Sequence, residues 1–167
     1  MARAAAMVAA FEQAFEQASD MGGVMGDMSD EDTTGVSDAF DLSSTFIHLG
    51  LGATATPLPN FEWSSDYLDG YSRRFADDGN EGRLVTMGPS GDSWTTWERH
   101  PAGEEVVVVL SGRVELVQRI EGEERRIALG PGQAVVNPVG VWHTADVIAP
   151  GEMLFITPGQ GTEHEPR

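Results

Sequence analysis

The chain reads as an all-β domain, a sandwich or a small barrel. From about residue 80 onward, short runs rich in β-branched and aromatic residues recur at regular spacing, parted by Gly- and Pro-bearing turns. No helical stretch long enough to build a strand–helix–strand crossover interrupts them. The length, 167 residues, suits one domain with an appendage and allows a core without covalent staples.

Taken in order, residues 1–19 are expected to be helical. Ala dominates, and Val8, Phe11, Phe15 and Ala18 share one face of a 3.6-residue period. Residues 20–41 hold Gly, Met, Ser and acidic side chains and read as a flexible acidic linker, with Met28 a natural start for a shorter product. Thr45–Gly50 is a strand candidate, and Pro57 and Pro59 break the segment after it. Phe61–Phe75 concentrates aromatics next to Arg73 and Arg74, and Asp77-Asp78-Gly79-Asn80 is a turn. Strands follow over Arg83–Met87, Ser93–His100, Val106–Leu110, Arg113–Ile120, Arg125–Leu129, Ala134–Asn137, His143–Ile148 and Met153–Thr157. Residues 159–167 form a polar tail expected to fray. The division is therefore 1–41 as helix and linker, 42–158 as barrel with its motif core at 80–158, and 159–167 as tail.

Composition removes several function classes. A net charge of −17 repels phosphate backbones and anionic lipid surfaces, so neither nucleic acid nor membrane is an expected partner. No apolar run approaches the ~20 residues of a membrane span. Met1 to Phe11 lacks a cleavage site, so a cytoplasmic location is expected. The chain has no Cys, which excludes disulfides, thiolate metal sites and a Cys nucleophile. It also has no Lys, which excludes Schiff-base chemistry.

Glu98, His100, Glu105 and His143 stand where they can meet around one ion. Alternation puts Glu98 and His100 on one strand face, with Trp94 and Thr96 further along it. Pro101-Ala102-Gly103 turns the chain, Glu105 opens the next strand with Val107 and Val109 on its face, and His143 begins a later one after a Pro138-Val139-Gly140 turn. Two imidazoles with one or two carboxylates suit a divalent transition metal, Mn, Fe, Ni or Zn. Oxygen-only shells suit Ca and Mg better.

These residues carry a family resemblance. His100-x4-Glu105-x6-Gly112 and Gly132-x5-Pro138-x-Gly140-x2-His143 match the two motifs of the cupin superfamily, and the chain resembles its small single-domain members over roughly residues 80–158. The resemblance implies a small jelly-roll (double-stranded β-helix) barrel, here preceded by the short N-terminal helix read from residues 1–19, a homodimer, and His100, Glu105 and His143 at three of four metal positions. It departs from the pattern in three places: Glu98 replaces the first His, Val147 the closing Asn, and Asp92 the opening Gly. Glu98 is either a fourth ligand or a free base beside a three-ligand ion. The resemblance implies oxygenase, isomerase or lyase chemistry; the modest size of a single barrel points to a small polar organic molecule, and Glu98 is the catalytic candidate. The alternative is a non-catalytic module that binds or senses a small ligand, with or without metal.

Other residues get plainer roles. Trp94, Tyr67, Tyr71 and Arg73 are candidates for a substrate pocket; for residues 61–75 the alternative is an N-terminal strand or arm packed on a partner subunit. Trp97 and Trp142 face away from the proposed ion by alternation and are read as packing. His48 is read as an ordinary strand residue and His164 as part of the acidic tail.

Overall fold

The computed structural model describes residues 38–167. The helix expected over 1–19, and most of the linker expected over 20–41, lie outside the described residues. The strands are β1 (Thr45–Gly50), β2 (Thr54–Pro59), β3 (Arg83–Ser90), β4 (Thr96–Arg99), β5 (Glu105–Ile120), β6 (Glu123–Leu129), β7 (Ala134–Asn137), β8 (Trp142–Pro158) and β9 (Glu163–Pro166). Every pairing between them is antiparallel, and the fold is the expected all-β jelly roll. Among the described residues the α-helix, α1 (Ser65–Arg74), lies between β2 and β3. No helix among the described residues is long and apolar enough to cross a membrane.

Two long strands organise the barrel. β5 runs along β8 from Val106↔Ile156 to Arg119↔Trp142, and the register slips between Val109 and Val114. Before the slip β5 is flanked by β7, and the facing half of β8 by β3. Beyond it β5 is flanked by β6, and β8 meets β4. Each long strand thus passes from one sheet to the other at the same bend. The sequence showed the bend as gaps, Leu110 to Arg113 and Ile148 to Met153, and so read each long strand as two.

Gly112 explains why the bend can close. Its φ is +80°, and a Cβ there would stand 2.5 Å from the carbonyl oxygen of Ala149. Only glycine combines that backbone conformation with so close an approach. On the inner face, alternate residues of β5 and β8 make the core: Val107, Val109, Val114, Leu116, Ala145 and Met153, with Leu129 from β6.

A second apolar cluster lies on the other side of β1–β3. Phe46, Leu58, Tyr71 and Leu84 are buried, with Phe61, Trp63, Tyr67 and Phe75 packed against them. Ser64 caps α1 by accepting a hydrogen bond from the Tyr67 amide at 3.3 Å. Tyr67, Tyr71 and Phe75 recur every four residues, so they stack along one helix face toward this cluster. His48 fastens the assembly. Its Nε2–H donates to Asp78 Oδ2 at 2.7 Å, its Nδ1 meets the Tyr71 hydroxyl at 2.7 Å, and its ring stacks on Phe75. Burial first, then the nearby Asp78 charge, push the Tyr71 hydroxyl far above its ordinary pKa.

Three local readings change. Within the segment 61–75, residues 65–74 form a helix packed on its own sheet rather than a strand. Pro57 and Pro59 do not end the strand region: β2 pairs only with β1, and an edge strand tolerates proline. The tail does not fray after Pro158, because β9 pairs with β4 from Thr96↔Pro166 to Arg99↔Glu163.

Leu116 is fully buried, so Leu116→Ala is expected to lower stability by about 2–5 kcal/mol in urea unfolding. Gly112→Ala adds a methyl rather than removing one, yet is expected to destabilise by at least 1 kcal/mol, on the order of other overpacking and strain costs. A Gly112→Ala midpoint equal to wild type would contradict this account of the bend.

Candidate metal centre

The four predicted donors converge at one end of the barrel's inner face. Glu98 comes from β4, His100 from the residue after it, Glu105 from the first position of β5, and His143 from the second of β8. Each offers one ligand atom, and the four atoms lie within 4.8 Å of one another. Alternation explains the placement. Glu105 continues the inward row of Val107 and Val109, and His143 the inward row of Ala145. The two motifs are joined by backbone, because the Gly140 amide donates to the His100 carbonyl at 3.1 Å. Gly140 makes that tight turn at φ +70°.

The geometry is close. His143 Nε2 stands 3.0 Å from Glu105 Oε2 and 3.3 Å from Glu98 Oε1, and His100 Nε2 stands 3.4 Å from Glu105 Oε1. Metal–ligand bonds of about 2.0–2.2 Å put neighbouring donors roughly 3 Å apart and opposite donors a little over 4 Å apart. The cluster has that size. His100 Nε2 is buried and has no hydrogen-bond partner among the described residues, its approach to Glu105 being close but unaligned. An orphaned imidazole nitrogen aimed at a carboxylate and a second imidazole fits a missing cation.

Outer groups fix the orientation of each donor. His143 Nδ1–H donates to the Val141 carbonyl at 3.0 Å, which turns its Nε2 toward the cluster. His100 Nδ1 meets the Thr162 hydroxyl at 3.0 Å. Glu105 accepts from Thr157 Oγ1 at 2.9 Å and from Asn137 Nδ2 at 3.0 Å. Asn137 Oδ1 accepts in turn from Gln118 Nε2 at 2.8 Å. Asn137 and Gln118 are each 1% exposed. Among the four donors, Glu98 is the most accessible at 20%; His100 and Glu105 are at 2% and His143 at 0%.

Without an ion the cluster is an ionic knot. Burial pulls His143 toward neutrality, but hydrogen bonds to Glu105 and then Glu98 outweigh it and push its pKa up to about 10. Burial likewise raises Glu105, but the imidazoles of His100 and His143 hold it well below the usual carboxylate range. Glu98 is lowered too: burial opposes its charge, and hydrogen bonds to His143 and His164 prevail.

The remaining predicted residues divide. Trp94 joins this site: its ring lies 6.3 Å from that of His143 and 6.1 Å from Phe155. Tyr67 and Tyr71 belong to the second cluster and Arg73 is exposed, so the structure does not bring them into the ring of donors. Trp97 and Trp142 lie under guanidinium groups, Arg119 at 4.1 Å and Arg99 at 4.7 Å from the ring centroids.

Sequence reasoning missed His164, Thr162, Asn137, Gln118 and Thr157. Gln118 left a trace, a polar residue in the inward row of Val114 and Leu116. His164 left another, its place between Glu163 and Glu165 at strand period.

Residues 83–157 match the family described as the cupin domain. A cupin-2 domain containing protein from Shewanella frigidimarina is 22% identical, over 46% of this chain and 70% of that one, at a TM-score of 0.40. A hydroquinone 1,2-dioxygenase solved with Cd2+ and 4-hydroxybenzonitrile is 16% identical over 47% of this chain and 58% of its own, at 0.42. Oxalate decarboxylase from Bacillus subtilis, which has Mn(II) centres, is 17% identical over 57% of this chain and 26% of its own, at 0.44. Curated proteins yield no match.

The lack of Lys and Cys makes the knot visible to pH. His143, with a raised pKa, contributes stability that is fully present below pH 6.5 and is lost as pH rises toward about 10. Glu105, with a lowered pKa, contributes above about pH 4.5 and loses that contribution as pH falls. Few other groups titrate between pH 7 and 10. Chelator-treated protein is therefore expected to melt at falling temperature from pH 7 to 10. His143→Gln should flatten that limb, and an equally steep limb in the variant would show that it comes from elsewhere.

Proposed function

We propose, from the cupin-domain match over residues 83–157, that the chain is a metal-dependent enzyme. It holds a divalent transition ion between His100, Glu105, His143 and Glu98 and acts on a small polar organic molecule. The observation that carries this reading is the buried Nε2 of His100, without a hydrogen bond though 3.4 Å from Glu105, inside a cluster of metal-ion dimensions. Mn, Fe, Ni and Zn all suit two imidazoles and two carboxylates. When bound, such an ion supplies a Lewis acid that polarises a substrate oxygen.

The chain's own residues divide the remaining work. His100, Glu105 and His143 are sealed from water and fix the geometry. Glu98 is the donor nearest solvent, its carboxyl is held ionised, and it is placed to accept a proton at Oε1 or Oε2. Trp94 forms an aromatic wall beside His143. Oxygenase, isomerase and lyase chemistry are the reaction classes of this proposal. A homodimer is part of it, supported by Val136 on the edge strand β7 and by Val139, 48% and 55% exposed.

One observation favours a second reading, a non-catalytic module that binds a small ligand. An imidazolium at His143 already bridges Glu98 and Glu105, so part of their charge is offset without an ion. Elemental analysis of untagged protein, beside His100→Ala/His143→Ala, separates the two. Near-stoichiometric transition metal in the wild type, lost in the double variant, is expected. Protein that stays metal-free after reconstitution would leave only the binding module.

A further inference from the structure

Glu98 does not stand between two ordinary neighbours. On β4 it is paired across one side with His143 of β8 and across the other with His164 of β9. Directly opposed residues on adjacent strands project from the same sheet face, so His143, Glu98 and His164 form one row across three strands. The row is joined side chain to side chain. Glu98 Oε1 lies 3.3 Å from His143 Nε2, and Glu98 Oε2 lies 3.5 Å from His164 Nε2. His164 is 14% exposed.

The same segment reaches a second donor. Thr162, just ahead of β9, meets His100 Nδ1 at 3.0 Å, on the ring edge opposite the partnerless Nε2. The outer side of the strand is tied down separately. Arg99 grips Glu163 Oε2 through Nε and Nη2 at 2.8 and 2.6 Å, and Arg119 pairs with Glu165 at 2.7 Å. At its far end the Arg167 amide donates to the Thr95 carbonyl, and its guanidinium takes both oxygens of Asp146. Exposed ion pairs are individually weak, but here they set which face turns inward: Glu163 and Glu165 out, His164 in.

We propose that residues 162–167 complete the metal centre, with His164 and Thr162 as positioning residues that act through Glu98 and His100. Resting on the metal-ion reading above, the proposal assigns Glu98 a divided carboxylate. Oε1 serves the ion, and Oε2 is held back by the His164 N–H, so the ligand binds through one oxygen and keeps its direction. It also accounts for the departure at position 98. A carboxylate on a flexible stem replaces a stiff imidazole, and a histidine from another strand restores its orientation.

The test uses full-length protein freed of metal and titrated with Co2+ or Zn2+ against a chromophoric chelator. Visible spectra of the Co2+ forms report the ligand geometry. His164→Ala and Thr162→Val are expected to weaken binding by about tenfold or more each and to shift the Co2+ bands. His164→Gln and Thr162→Ser keep a polar partner in place and should recover most of both. The recovery separates positioning from loss of fold, and melting of the metal-free forms should show all four variants folded. Wild-type affinity and spectra in His164→Ala and Thr162→Val, with binding lost in His100→Ala, would overturn this proposal and leave the metal reading standing. Failure of the wild type to bind either ion would overturn both.

Discussion

The barrel is built around a buried carboxylate that has to stay charged. Glu105 is 2% exposed, and an ion so placed costs several kcal/mol unless it is compensated in full. The compensation comes from all around it: Thr157 and Asn137 by hydrogen bond, Gln118 through Asn137, and the imidazoles of His100 and His143 by charge. Those partners belong to β8, β7, the second half of β5 and the turn after β4. Removing a neighbour strand would strand a charge as well as expose apolar surface, so the site and the fold are not separable.

Such convergence requires the bend. β5 brings Glu105 from its first residue and Gln118 from near its last to the same carboxamide, Asn137. A straight strand of that length could not do so, since its ends would lie some tens of ångströms apart at about 3.3 Å per residue. The register slip at Ser111–Arg113 folds the strand across both sheets, and Gly112 permits the slip. The motif glycine and the motif glutamate therefore belong to one constraint, although they sit at opposite ends of a half-strand.

How much of this the sequence disclosed follows from the range of each interaction. The strands of the motif core were legible because alternation and turn residues are local signals. Glu98, His100, Glu105 and His143 were legible because their spacing is tied to turns of fixed length. The helix α1 was legible in principle from Tyr67, Tyr71 and Phe75, but its aromatic richness suggested a strand. β2 was obscured because Pro57 and Pro59 forbid a central strand, and nothing local shows that its position is at an edge. His164 was hidden most deeply. A short polar run carries no burial signal, and its role depends on pairing with a strand some 65 residues earlier. No periodicity encodes that pairing; the matching charges are Glu163 with Arg99 at the end of the paired strand β4 and Glu165 with Arg119 on β5.

The donor set also has an electrostatic logic that relates the metal-bound and metal-free forms. Two carboxylates cancel a divalent ion, so the loaded centre is close to neutral inside a low-dielectric barrel. Remove the ion and the two negative charges remain, which by themselves would repel at this separation. The proton that His143 then retains, bridging Glu98 and Glu105 at 3.3 and 3.0 Å, takes up part of that charge. His164 on the far oxygen of Glu98 and Thr157 and Asn137 on Glu105 disperse more of it. A bound ion would compete with that proton for the same place between the two carboxylates. A site made of three imidazoles and one carboxylate would hold less negative charge and need no such proton. The exchange of histidine for glutamate at position 98 therefore lowers the positive charge of the loaded centre and raises the demand for a cation in the empty one. That demand is consistent with a His100 Nε2 that is buried without a hydrogen bond, 3.4 Å from Glu105.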